Sequence, residues 1–131
     1  MRQILFKIAR ILSGAVCGIA IVFASAQFGH RAFLSEDSYA FTNYVAMSYG
    51  VPAAIAVLAS AALLGLLWKS GAWLVAIGFS LVPALAASIE MARDKTSHNL
   101  IPLEIILYWL PIFIIAWVGA AVGVKIRVPK K

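Results

Sequence analysis

Charge is what this sequence has least of. Only 12% of its 131 residues are Asp, Glu, Lys or Arg, against roughly 25% in an ordinary soluble domain. So few charges cannot clothe a water-facing surface on a chain that is 63% hydrophobic. The apolar residues also fall in runs, without the apolar/polar alternation of half-buried or barrel strands, which speaks against both a soluble fold and a β-barrel. Acids are scarcer still: none precedes Glu36 and none follows Glu104. The lone Cys17 rules out an intrachain disulfide or a paired-thiol redox centre and reads as a small packing residue. No glycine loop of the phosphate-cradling kind occurs, and no serine or cysteine sits in a nucleophile turn. Catalysis is therefore not the leading expectation.

What is present is apolar length. Charges divide the chain into uncharged stretches at 11–29, 38–68, 70–89 and 105–124, each within one residue of the roughly 20 needed to cross about 30 Å of hydrocarbon, or beyond it. In lipid the backbone must satisfy its own hydrogen bonds, so the runs predict helices. The second run is too long for one crossing. Pro52 suits a first helical turn, which places the span at 51–68 and leaves Tyr39, Phe41, Tyr44 and Tyr49 as an interfacial approach segment. The expectation is an all-α, integral membrane four-helix antiparallel bundle, a single domain over 1–131 with spans at about 11–29, 51–68, 71–90 and 103–124. Such a chain has no room for a separate extramembrane domain. Lys69-Ser70-Gly71, flanked by Trp68 and Trp73, makes the second and third helices a tight hairpin with aromatic anchors at its tip.

Orientation follows from the basic residues. Arg2, Lys7, Arg10, Lys69, Lys125, Arg127, Lys130 and Lys131 fall on one side, and only Arg31, Arg93 and Lys95 on the other. Positive-inside bias predicts both termini cytoplasmic, and short loops with this bias suit a bacterial inner membrane. The net charge of +6 is then explained by topology and contact with anionic lipid, with no need for nucleic acid. A basic start, an apolar core and Ala24-Ser25-Ala26 also resemble a secretory signal peptide. The segment is read here as a retained first helix.

Small residues at four-residue spacing mark close helix approach: Gly14 and Gly18 in the first span, Ala61 and Gly65 in the second, Gly119 and Gly123 in the fourth. The default expectation is contact within the bundle, and contact with another chain is the alternative. Pro83 and Pro111 fall inside the third and fourth spans, where each removes a helical hydrogen bond and predicts a kink. Gln27 is a polar group within the first apolar run, suited to a hydrogen bond across to another helix.

Chemistry concentrates in the polar link from Glu90 to Glu104. Glu90, Arg93 and Asp94 share a helical face. His98 and Asn99 follow, and Pro102 opens a helix two residues before Glu104. The plain expectation is local: carboxylates paired with Arg93 or Lys95, Glu104 complementing a helix N-terminus, and Ser97 or Asn99 capping it. The sharper one is an outward-facing ion or proton site of Glu90, His98 and Glu104, joined by His30, with Arg93 and Asn99 beside it. Carboxylate and imidazole suit zinc or another divalent ion, and two histidines on one side allow a bis-imidazole haem, yet no spacing matches a tight-binding motif. The sequence requires no cofactor. Several four-helix membrane families of similar length do not fit these residues, and the membrane-associated eicosanoid and glutathione enzymes, with an Asn and Glu signature after the first helix, differ in position and spacing from Asn99 and Glu104. Small multidrug-resistance transporters need a carboxylate in the first helix, and the membrane disulfide-forming enzymes and vitamin K epoxide reductases need paired cysteines. The leading functional expectation is a non-catalytic accessory or assembly subunit, homo-oligomeric or part of a larger membrane complex. The alternative is an oligomeric ion or small-solute transporter.

Overall fold

The computed structural model describes residues 2–29, 50–93 and 101–127. Four helices make up nearly all of this: α1 (Arg2–Gly29), α2 (Val51–Trp68), α3 (Ala72–Arg93) and α4 (Ile101–Arg127). α1 starts nine residues before the uncharged run it contains, because Lys and Arg are good helix formers and a charge bounds a hydrocarbon span without ending a helix. α2 opens on Gly50 in extended conformation with Pro52 in its first turn. It closes on Lys69, whose left-handed φ of 60° turns its N–H onto the Gly65 carbonyl at 3.2 Å. Gly71 takes a φ of 77°, and its carbonyl accepts from the Leu74 N–H at 2.9 Å as α3 begins. Two left-handed residues within three positions reverse the chain at once. α3 runs unbroken through position 83 and α4 through Pro111.

Consecutive helices alternate in direction, yet consecutive helices are not the tightest partners. α2 packs mainly on α4 and α1 mainly on α3, α3 also packs on α4, and α2 and α3 touch least of the packed pairs despite their three-residue connection. The ring order is therefore α1, α3, α4, α2. Gly14 faces Val75 and Gly18 faces Phe79, while Gly119 faces Leu58 and Gly123 faces Ala62. Both major seams thus join helices running the same way. The antiparallel bundle expected from the short connections is refined to this extent: two of its four seams are parallel, and α2 and α3 lie across the diagonal.

Small side chains fill the inside and bulky ones cover the outside. The core cluster comprises Val57, Ala61, Val75, Ala76, Phe79, Ile112, Ala116 and Ala120, in which Phe79 is the one aromatic and is fully buried. The first turns of α3 are closely enclosed, with Leu74, Val75, Ala76, Gly78, Phe79 and Ser80 all buried. The Ser80 hydroxyl donates to the Ile77 carbonyl at 2.9 Å, so no polar group is stranded there. Outside stand Leu12, Val16 and Phe23 of α1, Ile55, Leu63 and Leu67 of α2, and Leu110, Ile114 and Trp117 of α4. Among the described residues three stretches are long and apolar enough to cross a membrane: Arg2–Ser25, Val51–Trp68 and Trp109–Arg127. α3 contributes a shorter apolar stretch, Ala72–Val82, within its 22 residues.

Candidate functional site

The polar link expected to carry chemistry falls largely beyond what the structure describes. His30, Asp94, Lys95, Ser97, His98 and Asn99 lie outside the described residues, as do Tyr39, Phe41, Tyr44 and Tyr49. Glu90 and Arg93 occupy the end of α3, and Glu104 the first turn of α4, as backbone positions on two helices that pack together. Among the described residues no three of His, Cys, Asp and Glu come together.

Five glycines on the seams, Gly14, Gly65, Gly78, Gly119 and Gly123, sit where a Cβ would strike a backbone carbonyl. A Cβ on Gly14 would overlap the Val75 carbonyl, and one on Gly78 would overlap the Ile11 carbonyl, so α1 and α3 interlock reciprocally. Gly18 is looser: a Cβ there would lie 3.1 Å from a Val82 methyl. On the other seam Gly65 meets the Ala120 carbonyl, Gly119 the Leu58 carbonyl and Gly123 the Ala62 carbonyl. Bare α-carbons facing carbonyl oxygens permit weak Cα–H···O contacts and close van der Waals packing, the forces left to helices where water no longer drives association. All six predicted small residues thus line contacts between α1 and α3 or between α2 and α4. Gly78, which sequence reading passed over, faces Gly14 directly. Its signal was weak, since it stands alone in α3 without a small partner four residues away.

The α2–α4 seam steps by four on both helices. Gly119 and Gly123 stand over the carbonyls of Leu58 and Ala62, and one step further Arg127 donates its guanidinium N–H to the Leu66 carbonyl, with the Leu67 carbonyl at 3.4 Å. Arg127 thereby caps the C-terminus of α2, where carbonyls lack helical donors and a cation meets the negative end of the dipole.

At this same end α1 closes on the α2–α3 turn. The Arg10 guanidinium lies over the Trp68 ring, 5.8 Å from its centroid, and its Nη1 comes close to Gly71. Trp68 Nε1–H donates to Ser13 Oγ at 3.1 Å, and the Ser13 hydroxyl donates back to the Arg10 carbonyl at 2.8 Å. Arg10 Nε is buried and has no hydrogen-bond acceptor among the described residues. The contacts collect the N-terminal part of α1, the turn, and the C-terminal turns of α2 and α4 at one end of the bundle, bringing Arg10, Lys69, Lys125 and Arg127 to it. Sequence reading found the charges and the tryptophan but not their union, because residues 10 and 68 are joined only by the fold. No protein-family model, curated protein or solved structure matches this chain.

Proposed function

We propose that the chain is an integral membrane protein with four crossings and both termini cytoplasmic, set in a bacterial inner membrane. It acts there as a non-catalytic accessory or assembly subunit that packs against other membrane helices, either as a homo-oligomer or within a larger complex. The observation that carries this reading is the outward ridge of α4. Ile106, Leu110, Ile114, Val118, Val122 and Ile126 recur every four residues and are all exposed. α2 carries a parallel ridge of Val51, Ile55, Leu63 and Leu67. Rows of this spacing are the ridges that seat in the grooves of a facing helix, and in water they would form an apolar surface far beyond what a soluble monomer exposes. The small-residue seams are occupied inside the bundle, so a partner would meet these ridges.

Purification in mild detergent tests the reading, with mass measured by light scattering and composition by mass spectrometry. A homo-oligomer or a reproducible co-purifying membrane protein is expected. A strictly monomeric, partner-free species would overturn the proposal.

A further inference from the structure

The end of the bundle that gathers Arg10, Lys69, Lys125 and Arg127 is cationic without compensation from any acidic side chain among the described residues. No Asp or Glu occurs before residue 36, between 38 and 89, or after 104, and those stretches supply every described element at this end. The four cations are not equivalent. Arg127 already serves the Leu66 and Leu67 carbonyls. Arg10 lies over Trp68, with a buried Nε that meets no acceptor among the described residues. Lys69 projects from the turn beside it, exposed.

Depth can be argued from length. A 28-residue helix such as α1 is about 42 Å long, some 12 Å more than about 30 Å of hydrocarbon. Its uncharged run begins at Ile11, so Arg10 stands at the hydrocarbon boundary and residues 2–9 at headgroup level. In those first turns every side chain from Arg2 to Ile8 is exposed. At 100° per residue, Ile4, Leu5, Ile8 and Leu12 gather on one side, and Arg2, Lys7 and Arg10 share the other with Phe6, a partly amphipathic pattern suited to an interface.

We propose that this end of the bundle is a docking surface for anionic phospholipid, in which Arg10, steadied on Trp68, and Lys69 hold the headgroup phosphodiester. The planar guanidinium presents paired donors to phosphate oxygens, and the tryptophan beneath it steadies it without neutralising it. The surface rests on the membrane placement proposed above, but not on any partner protein.

Native mass spectrometry of the protein in nonionic detergent, titrated separately with phosphatidylglycerol and phosphatidylcholine, tests it. Preferential retention of phosphatidylglycerol is expected. Arg10→Gln and Lys69→Asn should each lower that retention about fivefold, the factor given by roughly 1 kcal/mol per basic residue near an anionic surface. Arg10→Lys should lie between the wild type and Arg10→Gln. Asparagine tolerates the left-handed conformation of position 69, so Lys69→Asn decides the matter if Arg10→Gln does not fold. Millimolar inorganic phosphate should leave retention unchanged, whereas full competition would make the ligand a free anion and overturn the surface. Equal retention of the two lipids, or wild-type retention by the variants, would overturn it while leaving the subunit reading intact. Retention of neither lipid would sink both this surface and the membrane placement.

Discussion

Gly14 and Gly78 each lack a Cβ that would strike a carbonyl of the other helix, whereas the nearest atom to a Cβ on Gly18 is the end of a valine side chain. A backbone oxygen cannot turn aside, but a methyl can. Gly78→Val is therefore expected to destabilise the protein by about 1–3 kcal/mol, the usual cost of overpacking, and Gly18→Ala by much less. Thermal unfolding in detergent, followed by tryptophan fluorescence, orders the two variants, and equal melting temperatures would contradict the seam. Ser13→Ala removes the acceptor of Trp68 Nε1–H and is expected to cost about 1 kcal/mol in the same assay. Arg127→Ala withdraws donors from the C-terminal carbonyls of α2. Because Arg127 is exposed, solvent screening keeps its expected cost to about 1 kcal/mol. Gly71, with its φ of 77°, resists alanine on conformational grounds alone.

At the level of the helices, α1 is bound chiefly to α3, two elements later in the chain. Co-expressed fragments 1–49 and 50–131 are therefore expected to assemble and co-purify, and Gly78→Val in the larger fragment should abolish their association. Association untouched by that substitution would mean that α1 is held elsewhere. Four helices were legible in the sequence because uncharged length and the need to satisfy the backbone leave little choice. Neighbour relations were not, because a three-residue connection between Trp68 and Ala72 fixes direction and leaves the lateral partner open. Small side chains decided that partner: Ala61 meets Gly119, Gly65 meets Ala120, and Ala62 meets Gly123, which the periodicity of one helix cannot reveal. The resemblance of the first segment to a signal peptide illustrates the same limit. α1 continues helically through Ala24–Ala26 and lays Gly14, Gly18 and the buried Val22 inward, a packing role that its composition alone does not disclose.

For the molecule as a whole, the α1 start, the α2–α3 turn and the α4 end share one face of the bundle, and the proposed cytoplasmic placement of that face can be measured. A fluorescent protein fused after Lys131 should fluoresce, alkaline phosphatase fused there should stay inactive, and Ser70→Cys in a Cys17→Ala background should resist an impermeant maleimide added outside intact cells. Active phosphatase at that position would reverse the topology. The site was less legible than the fold. The Glu90–Glu104 link drew attention through its density of chemistry, whereas the Arg10, Ser13 and Trp68 cluster comes from residues unremarkable singly and far apart in sequence. The ring order α1, α3, α4, α2 also bears on biogenesis. In the proposed membrane placement, the first helix would wait in the bilayer, as the chain leaves the ribosome, for a companion not yet translated, and the second would wait for the last. Neither tight pairing can lock until most of the chain has been made, so a translocon or chaperone that shelters the early helices would shape the yield of this protein more than any late folding event.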